Sequence, residues 1–151
     1  MKRWDDRKWV KTSYSESLSG RKGLDTAPEI ILRKTLHRLR SGYRVHWPVA
    51  GKLSADIAFP GRKVAIFVDG CFWHGCPKHG RMSFSGPNAL RWESKIKCTK
   101  ERDKRATRLA EAAGWGVVRL WECEIKADPV DGIRKILTAL NLTTLVAKSL
   151  R

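Results

Sequence analysis

Asp69-Gly70-Cys71-Phe72-Trp73-His74-Gly75-Cys76-Pro77-Lys78-His79 directly follows the apolar run Val64-Ala65-Ile66-Phe67-Val68. That run carries no charge and is rich in residues that suit a pleated, buried surface, so it reads as a strand. Asp69-Gly70 supplies the turn residues that end it. Beyond the turn, two cysteines, two histidines and two large aromatic residues are crowded into one short loop. Such a composition points to a site.

Upstream of this stretch, two further extended runs, Tyr43 to Trp47 and Ser54 to Phe59, are separated by turn residues at Pro48 to Lys52 and Pro60 to Lys63. With Val64 to Val68 they form a small sheet. Before them, Asp25 and Thr26 cap a helix with Pro28 in its first turn, and Ile30, Ile31, Leu32, Leu36 and Leu39 give its apolar stripe as far as about Arg40. Downstream, Ala89 to Ala113 is a long charged helix with Leu90, Ile96, Leu109 and Ala110 among its apolar positions, stopped by Gly114. Trp115 to Trp121 reads as a buried strand and Pro129 to Leu142 as a short closing helix. The pattern is αβββαβα, a sheet with helices packed on it. Residues 1–24, polar and basic without a sustained apolar period, read as a DNA-binding arm that orders on its partner. Residues 25–142 form the domain, and 143–151 a tail.

The chain has 151 residues, room for one domain and a core without disulfides. Its 31 Lys and Arg against 15 Asp and Glu give +16, far beyond what solubility needs, so a polyanion is the expected partner. Seven Trp set it apart from ordinary basic structural proteins, since rings of that size must be buried or used. No segment approaches the roughly 20 apolar residues of a membrane span. The charged start, Met1 to Lys11, lacks the apolar core of a signal peptide, so a cytoplasmic location is expected. In a reducing compartment Cys71, Cys76, Cys98 and Cys123 are metal ligands or free thiols.

Cys71, Cys76 and His79 follow a C-x4-C-x2-H spacing, and Cys123 comes after the last strand in Trp-Glu-Cys. Three thiolates and an imidazole suit tetrahedral Zn2+, and a shell filled by protein is structural. Unliganded packing of small residues is the competing reading. Cys98, in the charged helix, stands outside the set.

Asp56 sits mid-strand among apolar neighbours, where an ionised carboxylate is costly unless paired or metal-bound. Asp69 ends the next strand, and pairing of the two strands would bring both acids to one end of the sheet, the outline of a hard-cation site. Glu29 either supplies a third oxygen or stabilises its helix start through the dipole. Mg2+ held there would activate a water, with His74 as the base that takes its proton. Asp69 has an alternative role as a turn former.

Phe72 and Trp73 in the loop, and Trp92 early in the basic helix, are candidates to enter DNA as apolar wedges, with a core role the alternative for Trp92. From Arg91 to Arg108 there are eight Lys or Arg against three Asp or Glu, and Lys95 and Arg102 are among those placed for phosphate contact.

These pieces, in this order, resemble the bacterial very short patch repair endonucleases. The matching residues are Asp25-Thr26-Ala27-Pro28-Glu29, Ser54-Ala55-Asp56-Ile57, Val68 to Cys76, Trp92 with Lys95-Ile96 and Arg102-Asp103, Gly114-Trp115, and Trp121-Glu122-Cys123. The resemblance implies an α/β restriction-endonuclease-like fold, a small central mixed sheet flanked by helices, with a structural zinc site. It implies a monomer that acts on the bacterial nucleoid, using Mg2+ to nick one strand of double-stranded DNA 5′ to the thymine of a T:G mismatch left by 5-methylcytosine deamination. Mismatch-repair proteins would be its partners. By position, Asp56 matches the metal-binding carboxylate, Val68 the residue whose backbone carbonyl joins it, His74 the catalytic histidine and Glu29 a supporting acid. Phe72, Trp73 and Trp92 match the intercalating aromatics, and Leu18 an apolar residue entering from the opposite groove.

Departures from one well-known branch of that family stand at Asp69, where a second histidine would be, at Cys76 and His79, in ligand type and offset, and at Cys98-Thr99, where a polar DNA-contacting pair would be. They keep two alternatives in play: a restriction-like nuclease with another modified or paired target, and a non-catalytic zinc-stabilised DNA-binding module.

Overall fold

The computed structural model describes residues 9–13, 16, 23–38, 42–81 and 83–140. Helix α1, Ala27–Arg38, carries Pro28 in its first turn, where the missing N–H costs nothing, and buries Leu32 and Leu36, one turn apart. Ile30 faces solvent, so the stripe is narrower than expected. Leu39 and Arg40 lie outside the described residues.

Strands β1 (Arg44–Ala50) and β2 (Leu53–Phe59) form an antiparallel hairpin that turns at Gly51, φ +52°. The expected turn at Pro48 is instead part of β1. Pro48 is tolerated because β1 ends the sheet order and its register shifts between Pro48 and Ala50, a bulge that accommodates the missing donor. A 3-10 turn, Pro60–Arg62, leads into β3 (Val64–Asp69). One turn of helix, α2 (Cys71–His74), precedes the long α3 (Ala89–Ala112); β4 (Gly116–Trp121), α4 (Glu122–Ala127) and α5 (Pro129–Ala139) complete the described chain.

The sheet order is β1-β2-β3-β4. β3 is antiparallel to β2 and parallel to β4, pairing Phe67 with Arg119 and Asp69 with Trp121. The sheet is therefore mixed, with β3 buried on both faces as its unbroken apolar run requires. One core joins Leu32 and Leu36 of α1 to Ile57, Ile66 and Leu120 of the sheet and to Ile125, Ile133 and Ile136 of α4 and α5. On the second, Ala55, Ala58, Ala65 and Phe67 meet Ala110 and Trp115 at the end of α3, and these small side chains let the helix approach the sheet.

Several expectations need correction. Leu90 is 80% exposed and Leu109 is exposed, so the buried face of α3 is Trp92, Ile96 and Ala110. β4 begins at Gly116, and its residues Val117 to Arg119 are only half-buried. Helix α4, not anticipated from the sequence, starts at once after β4, with the Glu124 carboxylate accepting from the Trp121 N–H at 3.1 Å. Asp128 then caps α5 by accepting from the Val130 N–H at 3.0 Å. Among the described residues no helix is long and apolar enough to cross a membrane.

Candidate active site

A cavity of about 680 Å³ opens between the start of α1, β2 and β3, the α2 loop and α3, and Glu29, Asp56, Val68, Asp69, His74, Lys95, Arg102, Asp103 and Arg119 all line it. The register brings the acids together. Asp56 Oδ2 accepts from the Val68 N–H at 2.7 Å across the β2–β3 pair. Burial pushes the Asp56 carboxyl up to about 6, with the Val68 N–H opposing and the negative charges of Glu29 and Asp69 adding to the rise. Among the described residues Asp56 Oδ1 accepts no hydrogen bond. A half-buried carboxylate with one open oxygen and acidic neighbours fits a hard divalent cation, whose charge would offset the crowding.

Glu29, 3% exposed, accepts from Thr26 Oγ1 at 2.9 Å and from Arg33 Nη2 at 3.0 Å. Arg33 also donates to Asp25 at 2.6 Å and lies 3.3 Å from His46 Nε2. Asp25, Glu29 and His46 thus resemble a ligand set, but the Arg33 guanidinium already supplies the positive charge among them.

Asp69, at the end of β3, is buried and paired with a cation. Both of its oxygens accept from Arg119 Nη1, at 2.8 and 2.9 Å. Arg119 also donates through Nε to Thr107 Oγ1 at 2.9 Å and through Nη2 to the Asp103 carbonyl at 3.2 Å, and it lies over the Phe67 ring at 4.7 Å. One guanidinium so ties β3, β4 and α3 together.

His74 Nδ1 lies 2.5 Å from Asp103 Oδ2 and 3.5 Å from Asp69 Oδ1. A carboxylate only accepts, so Nδ1 carries the proton, and in the neutral ring Nε2 is left as the acceptor. Sequence reasoning missed the partnerships of Asp103 and Arg119. Their signals were present: Asp103 is an acid in a basic helix, and Arg119 is the single charge in the run Trp115 to Trp121.

Cys71 at the start of α2, Cys76 and His79 in the loop after it, and Cys123 in α4 bring their donor atoms within 4.8 Å of one another. Cys76 Sγ is 3.8 Å from Cys123 Sγ and 4.0 Å from His79 Nδ1, close to the edge lengths of a tetrahedron with zinc–sulfur bonds of about 2.3 Å. Against the cost of burial, the His79 and Lys78 N–H groups bring the Cys76 thiol down to about 7, which favours the thiolate a metal needs. Burial pushes Cys71 up. Gly80 closes the loop so tightly that a Cβ there would come within 2.5 Å of the Cys76 carbonyl oxygen. These residues fit Zn2+, and Cys98 is exposed on α3 outside the group.

Phe72, Trp73 and Trp92 form an aromatic cluster, with ring centroids 5.1 to 5.9 Å apart. Trp92, 6% exposed, is its floor and stacks on Phe84 at 6.1 Å; Phe72 and Trp73 are half-buried around it. Lys95 Nζ sits 4.9 Å from the Trp73 ring, its pKa lowered by burial. Arg102 is exposed at the cavity's edge, and Leu18 lies outside the described residues.

Buried acids and a carboxylate-held histidine at one end of a mixed sheet, beside a basic helix, define an endonuclease-type domain. Residues 7–79 match the family model described as DNA mismatch endonuclease Vsr. The chain is 37% identical over 123 residues to type II nicking enzyme V.NaeI of Lentzea aerocolonigenes, covering 79% of this chain and 73% of that protein. It is 36% identical over 104 residues to type II nicking enzyme V.XorIIP of Xanthomonas oryzae, covering 67% and 73%. With DNA mismatch endonuclease Vsr of Escherichia coli it shares 29% over 126 residues, covering 77% and 73%. The fold is similar to the homing endonuclease I-Bth0305I catalytic domain, at a TM-score of 0.50 and 19% identity over 78% of this chain and 96% of that one. The chain belongs to the Vsr endonuclease family.

Proposed function

We propose that this endonuclease uses Mg2+ to nick one strand of duplex DNA 5′ to the thymine of a T:G mismatch arising from 5-methylcytosine deamination, starting very short patch repair. The observation that carries this reading is the meeting, in one cavity, of Asp56 with Glu29 and Asp69, the Asp103-held His74 and the aromatic rings of Phe72 and Trp73.

Asp56 and the Val68 carbonyl would hold Mg2+, with Glu29 supporting the acid cluster. When bound, the ion polarises the phosphodiester and makes a water more acidic. His74 Nε2 takes the proton of the attacking water, while Nδ1–H to Asp103 keeps the ring in the right tautomer and orientation. Arg119 Nη1, donating to both oxygens of Asp69, supports a positioning role for Asp69 next to His74. Phe72 and Trp73, on the floor of Trp92, enter beside the mismatch, where a wobble pair unstacks more cheaply than a matched one. Lys95 and Arg102 contact the backbone, Leu18 approaches from the arm, and Cys71, Cys76, His79 and Cys123 would hold Zn2+, which would pin the segment that carries Phe72 to His74. The protein acts as a monomer in the cytoplasm, in concert with mismatch-repair proteins.

The relatives named type II nicking enzymes favour a second reading, a nick at another modified or paired target. Mapping the cut on end-labelled duplexes with and without Mg2+ separates the two. A single nick 5′ to the mismatched thymine, absent from the matched duplex, supports the first; cutting of a fully paired or modified site with no preference for the T:G duplex supports the second.

A further inference from the structure

The aromatic cluster includes a ring that comes from neither the α2 loop nor α3. Trp9 meets Trp92 edge-on at 4.9 Å and remains 39% exposed. Its place is set by the next residue. The Val10 N–H donates to Asn88 Oδ1 at 3.2 Å, and Asn88 Nδ2 donates to the Val10 carbonyl at 2.8 Å. One side-chain amide thus satisfies both backbone groups of Val10, as a neighbouring strand would. Asn88 is itself buried and stands at the start of α3, one turn before Trp92. Clasp and platform therefore move as one unit, although 78 residues separate Val10 from Asn88.

Leaving a large ring and its neighbour Val10 exposed forfeits hydrophobic stabilisation, so holding them in place with a buried amide needs a use. The surroundings indicate one: Arg91 and Lys95 each place a cation 5.8 Å from the Trp9 ring. An aromatic face bordered by cations matches a nucleobase attached to phosphates.

We propose that Trp9 is a third DNA-contacting ring, joining Phe72 and Trp73, and that Asn88 is the positioning residue that holds it there. This inference rests on the proposal that Phe72 and Trp73 enter the duplex. The contact is with a base exposed where the mismatched step opens.

The test is equilibrium binding of the full chain to a T:G duplex and to its fully paired counterpart, with Ca2+ replacing Mg2+ and 2-aminopurine beside the mismatch to report unstacking. Trp9→Ala is expected to weaken T:G binding about 10-fold, to change paired-duplex binding less than about 2-fold and to reduce the 2-aminopurine signal. Val10→Pro deletes the N–H that Asn88 receives while leaving the buried amide in place. It and Asn88→Ala are expected to reproduce the loss and to add little to Trp9→Ala. Equal weakening on both duplexes, or none on either, overturns the proposal. Phe72→Ala and Trp73→Ala in the same assay distinguish the failures. Loss for those two but not for Trp9→Ala refutes the role of Trp9 alone; no loss for any ring refutes the wedge reading as well.

Discussion

Asp56 stands in a place that costs the fold stability, and replacing it with Asn exposes that cost. Its carboxyl is raised from 3.8 to about 6, chiefly by burial. For an acid with a raised folded pKa, the folded state binds more protons than the unfolded one between those two values. Stability from this residue is therefore complete below pH about 3.8 and falls as pH rises to about 6, after which the penalty is constant. A gap of about two pKa units corresponds to about 3 kcal/mol. Asp56→Asn keeps an oxygen to accept the Val68 N–H and removes the charge, so at pH 8 it should be more stable by up to about 3 kcal/mol, raising Tm by about 6–12 °C for a domain of this size. The gain should shrink to about a third of its pH 8 value at pH 4.5, and nicking should be lost at every pH. Urea unfolding followed by tryptophan fluorescence at pH 8 and pH 4.5, with nicking measured beside it, checks both halves. An Asn variant no more stable at pH 8 than the wild type, and still cutting, would refute the account of Asp56 as a strained metal-binding acid.

Other expectations follow from the same geometry. His74→Ala should abolish nicking with duplex affinity intact, and Asp103→Asn should lower kcat by about 10²-fold or more, with KM little changed, because the ring loses its orienting acceptor. Arg119→Met leaves the Asp69 carboxylate buried without its partner and should cost about 3–5 kcal/mol, much of it recovered in the double variant with Asp69→Asn, as read by urea midpoints. Elemental analysis should find one zinc per chain; Cys76→Ser should lose it and melt at a markedly lower temperature, since metal binding energy is folding energy here.

Features within one strand or one loop were legible in the sequence. The Val64 to Val68 run, the Asp69-Gly70 turn and an acid stranded at Asp56 each announce themselves through neighbours a few residues away. Cys71, Cys76 and His79 are close in the chain, and Cys123 was placed by the strand before it. What escaped reading depends on register and helix rotation. Asp103 meets His74 across 29 residues because α3 turns that face inward, and Arg119 meets Asp69 across 50 because β4 runs parallel to β3. Helix α4 is built on a local Glu124 contact in a segment with no strong apolar period. Pro48 argued for a turn, and only its position on the outer strand, next to a bulge, makes it compatible with β1.

The most direct test of mismatch-directed nicking compares initial rates on two duplexes that differ only in one base pair, T:G against T:A, in the same sequence context with Mg2+. An unstacking advantage of about 2 kcal/mol for the wobble step predicts a rate ratio of about 30 in favour of T:G, with a single cut 5′ to the thymine. Equal rates on the two duplexes, or cleavage of both strands, would contradict the account.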